Sequence, residues 1–215
     1  MKKMMIPKPS VQHFFSILIL GLFLPLAAWS QSAQNQKEAR QIFDIVYNKV
    51  YGPQGSTLHY DVNIIGILKT NGTIWIKGKK SRFQEDRYLS WNNGVKDYWV
   101  DMKKKTVTEY DADAPRSDKY MSKFTFNLED YIYSVDKSPK YYYVITLNAK
   151  KDVKGIKHLK AIVEKDTYTP KSLKIKVLWF WTTVKITNFK SGGINDNIFV
   201  FPKDKYKDFK FEKGK

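Results

Sequence analysis

From Thr57 to Phe189 the chain is a run of short segments in which apolar and polar residues alternate, separated by turn residues and broken by one long interruption. In TLHYDVNIIGILK, Leu58, Tyr60, Val62, Ile64 and Leu68 alternate with mostly polar residues, the pattern of a strand with one buried face. Asn71-Gly72 reads as the turn into TIWIKGK, where Ile74 and Ile76 share a face and Trp75 takes the other. RFQEDRYLSW leads to Asn92-Asn93-Gly94, and VKDYWVDM returns with Tyr98, Val100 and Met102 on one side. Lys103-Lys104 then turns into KTVTEYD. Links this short have no room for a crossover, so the sheet is antiparallel.

The interruption, DADAPRSDKYMSKFTF, reads as a loop. NLEDYIYSV follows, with Asn127 as an N-cap and acids in the first turn, and predicts a short helix. Strands resume in KYYYVITLNAK, HLKAIVEKD, SLKIKV, TTVKITNF and NIFVF, punctuated by Thr169-Pro170 and Ser191-Gly192-Gly193. Ahead of all this, Ala39, Ile42, Phe43, Val46, Tyr47 and Val50 recur at the 3, 4 spacing of one helical face over residues 35–50, and Gly52-Pro53 ends that helix.

So wide a sheet curls: closed and tightly packed, it is filled by side chains; left open, its concave face needs a lid, for which the N-terminal amphipathic helix and the short internal helix are the candidates. The expected class is mainly β with α. No repeat divides the chain, and residues 31–215 read as one domain.

Residues 1–30 read as a cleaved signal peptide: Lys2, Lys3 and Lys8, then an apolar run from Phe14 to Ala28, then Ala28-Trp29-Ser30 before Gln31. The run is too short for a membrane span, and the expectation is an exported, soluble protein. Cysteine is absent, which excludes disulfides, thiolate chemistry and a lipid-modified cysteine. The full chain carries a formal charge of +17. Residues 1–30 hold three lysines and no acid, so the remainder carries +14. Such a charge favours anionic partners. Export points to lipid head groups or acidic glycans and away from nucleic acid, while lysines at strand edges also serve simply to block aggregation.

The chemistry-bearing motifs are few. His59 and His158 each stand alone in a strand pattern, and there is no G-x-S-x-G, H-E-x-x-H or phosphate-binding loop. Glu85-Asp86 and Glu129-Asp130 are sequence neighbours; on a strand such a pair points to opposite faces and cannot share acid–base work. No catalytic residue, metal site or cofactor is expected, and binding is preferred to catalysis.

GTIWIKGKKSRF, LSWNNGVKDYWVDMKKKTVTEYD and ITNFKSGGINDNIFVFP together resemble the LolA family of periplasmic lipoprotein carriers. The matching positions are Gly72, Trp75-Ile76-Lys77, Arg82-Phe83, Asn93-Gly94, Tyr98-Trp99, Val107-Thr108 and Phe199-Val200-Phe201-Pro202, in order, over most of residues 35–211. The resemblance implies an open, incomplete antiparallel β-barrel lidded by the two helices, in a periplasmic chaperone that escorts acylated lipoproteins or other lipids to the outer membrane. It also implies an inner-membrane release complex and an outer-membrane acceptor, while the net charge predicts transient contact with an anionic membrane surface; a monomer is expected.

On this reading the acyl cavity is lined by Phe43, Val46, Leu58, Tyr60, Val62, Ile64, Ile74, Ile76, Tyr98 and Val100. The sequence departs from the family where an Arg-Pro pair normally holds the lid: Gly78-Lys79 stands there, leaving Lys79 or Lys80 as substitutes that lack the planar fork of arginine. A LolA-like lipid- or glycolipid-binding or sensing module, and a glycan-binding protein, are the alternatives.

KIKVLWFWTTVKITNF admits two registers. Run straight, the plainer reading, Val177, Trp179 and Trp181 share a buried face. Turned at Leu178–Phe180, those side chains form an exposed rim or membrane contact, grouped with Lys79 and Lys80. The parity change between Leu173, Ile175, Val177 and Val184, Ile186 supports the turn.

Overall fold

The computed structural model describes residues 32–64, 68–112, 127–153, 155–177 and 179–214; the signal-peptide reading falls outside them. Helix α1 spans 32–51. Twelve strands follow among the described residues: β1 Ser56–Ile64, β2 Leu68–Lys77, β3 Lys80–Gln84, β4 Tyr88–Asn92, β5 Lys96–Asp101, β6 Thr106–Asp111, β7 Tyr131–Asp136, β8 Tyr142–Ala149, β9 His158–Glu164, β10 Pro170–Val177, β11 Phe180–Ser191 and β12 Lys210–Lys213.

All twelve belong to one open sheet in the order β12-β6-β5-β4-β3-β2-β1-β11-β10-β9-β8-β7. It is two antiparallel meanders, β1–β6 and β7–β11, sewn together where β1 pairs with β11. β12 is added in parallel beside β6.

Alternation explains which face each strand buries. In β9 it places Leu159, Ala161 and Val163 inward between half-exposed neighbours. In β7, buried Tyr131, Tyr133 and Val135 alternate with exposed Ile132, Ser134 and Asp136. These residues, with Ile145, Leu147 and Ile175, receive the Ala39, Ile42 and Val46 stripe of α1 and form the main core. Each fully buried Leu, Ile or Val contributes roughly 1.5–3 kcal/mol.

The opposite face of the other meander has its own cover. Trp91, Val100 and Val107 pack there against Tyr206, with Tyr98, Phe201 and Phe209 alongside. Tyr98 and Phe201 stack at 4.5 Å between ring centroids. On this face the Arg82 guanidinium lies 4.8 Å from the Trp75 ring and 5.3 Å from that of Trp91.

Five sequence expectations are corrected. NLEDYIYSV is one 3-10 turn, Leu128–Asp130, running straight into β7. Asn127 does cap it, accepting from the Glu129 N–H, but the period-2 burial of Tyr131, Tyr133 and Val135 overrides helix extension. The second lid is therefore a turn.

NIFVF is likewise no strand: Asp196–Phe199 is a 3-10 turn with Phe199 fully buried. RFQEDRYLSW is two strands, β3 and β4, which pair antiparallel, so the chain reverses at 85–87. Asn71-Gly72 is no turn at all. β2 runs through it, with Gly72 opposite Tyr60, and the reversal falls between Ile64 and Leu68.

The fifth correction is the straight register of KIKVLWFW. Val177 pairs with Phe180, so the chain reverses there. The Asn93-Gly94 reversal, by contrast, stands as read. Asn93 Oδ1 accepts from the Val95 and Lys96 N–H groups, and Gly94 takes φ 90°, a region that suits glycine.

Candidate functional site

The sheet face that carries α1 is only partly filled. Between the C-terminal half of the helix and strands β1, β2, β3, β9, β10 and β11 lies a cavity of about 1050 Å³. The helix contributes Phe43, Val46, Tyr47, Val50 and Tyr51; the first meander contributes Leu58, Tyr60, Ile74, Ile76, Phe83 and Glu85. Ala161, Val163, Pro170, Leu173, Val184 and Ile186 close the far side, and Asn127 and Leu128 reach it from the 3-10 turn.

Register explains the convergence. Leu58 pairs with Ile74 and Ile74 with Phe83; Tyr60 pairs with Ile186, and Leu173 with Val184. Directly paired residues point to the same side of a sheet, so these strands present one apolar surface.

Phe43, Val46, Leu58, Tyr60, Ile74 and Ile76, all read from the sequence as cavity residues, lie on this wall. Val62 faces the same way, opposite Val184, but lies beyond the wall. The side chain of Ile64 lies outside the described residues.

Tyr98 and Val100 are on the other side of the sheet, in the cluster around Trp91. The reason is parity. Ile74 pairs with Phe83, Phe83 with Ser90, and Ser90 with Trp99. Trp99 therefore shares the cavity face, and its neighbours Tyr98 and Val100 do not. Leu173, Val184 and Ile186 carried a sequence signal, their change of parity, which identifies them as wall residues once the hairpin register is chosen. Glu85 carried none, because its orientation depends on the reversal at 85–87.

α1 is held along its whole length. The Asn35 side-chain amide donates to the Val135 carbonyl at 2.8 Å, and its oxygen accepts from the Val135 N–H at 3.0 Å, so it pairs with the edge of β7 like a strand residue. Arg40 bonds Glu129 at 2.8 Å, which holds that carboxyl below the usual carboxylate range. At the other end Ser56 Oγ donates to the Val50 carbonyl at 2.8 Å.

The Gly78 N–H donates to the Tyr51 carbonyl at 3.1 Å. A backbone donor at Gly78, which adopts φ 57°, thus meets the end of the helix. Lys79 is exposed, and Lys80 pairs with Asp196 at 2.6 Å, as does Lys77 at 2.7 Å.

These two lysines, Lys77 first, lower the Asp196 carboxyl to about 2. A depressed carboxyl stabilises the fold above its unfolded pKa, about 3.9, and that contribution fades as pH falls towards the folded value. Asp196→Asn is therefore expected to lower urea stability relative to the unaltered chain above about pH 4, and the two stability curves are expected to converge near pH 2. A gap that persists undiminished at pH 2 contradicts the assignment.

The rim residues grouped in the sequence reading fall at two ends of the sheet. β1 runs from Ser56, beside Ile76 and Ser191, to Ile64, beside Leu68. Lys79 and Lys80 adjoin the first end. The β10–β11 hairpin projects past the second. Trp179 is 81% exposed at its tip and Trp181 41%, and Phe180 is half-buried beside them. Leu178 lies outside the described residues. Lys176 pairs with Trp181, and the Lys160 ammonium lies 5.1 Å from the Trp181 ring.

The two histidines among the described residues have structural partners: His59 Nδ1 is 3.3 Å from Thr73 Oγ1 and His158 Nδ1 is 2.8 Å from Asn148 Oδ1.

No family model matches the chain, and no curated protein matches it in sequence. Among solved structures it is similar to an uncharacterized conserved protein from Thermus thermophilus, at 11% identity over 82% of this chain and 99% of that one, with a TM-score of 0.55. It is also matched with a LolA superfamily protein from Nitrosomonas europaea, at 10% identity over 76% of this chain and 97% of that one, TM-score 0.39. A third match is a DUF1329 family protein from Desulfovibrio piger, at 15% identity over 77% and 97%, TM-score 0.43. At these identities the likeness is one of fold, and the Thermus thermophilus protein carries it: this chain shares that protein's fold, and a LolA superfamily protein is among the structures it resembles.

Proposed function

We propose that this chain, as a single domain over residues 31–215, is an exported carrier that holds the acyl chains of lipoproteins, or of other lipids, between α1 and the sheet and escorts them across the periplasm. The observation behind the proposal is the cavity of about 1050 Å³ with its apolar wall, at the upper end of the size range of small-molecule sites. An acyl chain of ~14 methylenes represents on the order of 11 kcal/mol when buried, at ~0.8 kcal/mol per methylene. A carrier needs a wall of this kind to match what the bilayer offers.

The hairpin tip completes the reading. Tryptophan favours the membrane interface, and Lys160, Lys174 and Lys176 stand behind Trp179 and Trp181 on neighbouring strands. That arrangement suits brief docking on an anionic surface.

Titration with Nile red, an uncharged apolar dye, tests the proposal. Saturable, one-to-one binding that a diacylated peptide displaces is expected. A chain that takes up neither the dye nor the peptide is not an acyl carrier.

A further inference from the structure

Glu85 is the one formally charged side chain among the described residues that line the cavity. It is half-buried and points into a wall otherwise made mainly of aliphatic and aromatic groups. The Tyr60 hydroxyl donates to its Oε1 at 2.5 Å. Burial first, and this hydrogen bond second, push the Tyr60 phenol well above its ordinary range, so Tyr60 remains a donor.

The backbone makes room for the pair. A Cβ on Gly72 would stand 2.6 Å from the Tyr60 hydroxyl and 2.9 Å from Glu85 Cγ. A glycine inside a strand marks such a close approach. What looks in sequence like an Asn-Gly turn is thus the seat of a tyrosine–glutamate pair.

Among the described residues no cation pairs with the Glu85 carboxylate, although the chain is rich in lysine, and Arg82, on β3, points to the opposite face, against Trp75 and Trp91. One carboxylate oxygen accepts from Tyr60, and among the described residues no other side-chain hydrogen bond reaches the group. A partly buried carboxylate is strongly improved by a cationic donor and penalised by a second anion.

We propose that Glu85 selects amphiphiles whose acyl chain adjoins an ammonium group and rejects those with an anionic head. The inference rests on the acyl-binding reading above and names the ligand class. Two sources share this chemistry: the free α-amino terminus of a diacylated peptide, and the head of an amino lipid. Specificity of this kind comes as much from repelling the wrong head group as from attracting the right one.

The experiment is displacement of Nile red, an uncharged apolar dye, at neutral pH and low salt by dodecylammonium, dodecanol and dodecyl phosphate. Dodecylammonium is expected to displace the dye at about one-tenth the concentration of dodecanol, with dodecyl phosphate weaker than both. In Glu85→Gln, and in Glu85→Ala as a second variant, the ammonium-to-alcohol ratio is expected to fall to about one.

Equal potency of the three in the unaltered chain, or a ratio that survives both substitutions, overturns the proposal. Failure of all three to displace the dye, or failure of the dye to bind, overturns the acyl-binding reading instead. A diacylated peptide with a free amino terminus that outcompetes its N-acetylated form supports the proposal and assigns the peptide source. Sphingosine outcompeting its N-acetylated form supports it and assigns the lipid source. Equality within both pairs counts against it.

Discussion

Replacing Val184 and Ile186 together with tryptophan is expected to weaken binding of Nile red, an uncharged apolar dye, at least tenfold while the chain stays folded. Both side chains are half-buried on β11 and face the cavity from beneath. They pair with Leu173 and Tyr60, so two indoles at these positions project into the space an acyl chain would fill. Overpacking is costly where a core is already full. Here the added rings enter existing space, and the melting temperature is expected to move by only a few degrees. Undiminished dye binding in this variant would place the ligand elsewhere. A collapse of the melting temperature would show that the cavity has no room, and that Val184 and Ile186 are ordinary core.

The second large effect is expected at the hairpin. Trp179→Ser with Phe180→Ser removes the apolar tip. Trp179 is 81% exposed and Phe180 half-buried, so the melting temperature is expected to fall by only a few degrees: exposed substitutions usually stay within ~0.5 kcal/mol, and Phe180 gives up only partial burial. Binding to vesicles of anionic phospholipid is expected to fall tenfold or more. Salt is expected to weaken the binding of the unaltered chain, since each lysine near such a surface contributes about 1 kcal/mol through screened attraction. Equal binding to neutral vesicles, or binding indifferent to the two serines, contradicts docking through this tip. Lys79 and Lys80 lie at the other end of the sheet, so substituting them is expected to leave tip docking intact.

The parts of the fold legible in the sequence were those written in local periodicity. The α1 stripe at Ala39, Ile42 and Val46 and the alternation of β8, β9 and β10 each encode a buried face without reference to anything distant. Parity within one strand was equally plain, and Ile74 and Ile76 share the cavity wall as read.

Harder to read was whatever depended on pairing between strands. Tyr98 and Val100 are apolar and alternate correctly, yet which face they join is decided through Phe83, Ser90 and Trp99, across three strands. A turn signal misled at Asn71-Gly72 because glycine there answers a tertiary need, space for the Tyr60 hydroxyl, and no local one. The C-terminal strand β12 pairs in parallel with β6 over only four residues, too short a stretch to leave a periodic trace. Asn127 shows the converse: its cap is real, but a good N-cap fixes only where a turn begins and says nothing of how long it runs.

At the site, the apolar wall was half visible and its polar member was not. Phe43, Val46, Leu58 and Tyr60 follow from two amphipathic stripes that need a common partner. Glu85 sits in a charged run, EDR, whose obvious reading is a solvated bend. Only the close approach of Gly72 and Tyr60 places its carboxylate on the cavity side.

The central claim, that the space between α1 and the sheet is built to hold an acyl chain, is tested most directly by mass spectrometry of the purified protein, first under native conditions and then after organic extraction. The account predicts one acyl-bearing molecule per chain, released on extraction and lost from the Val184→Trp/Ile186→Trp variant. An empty unaltered chain that also takes up no Nile red, or a lipid retained equally by both chains, would contradict it.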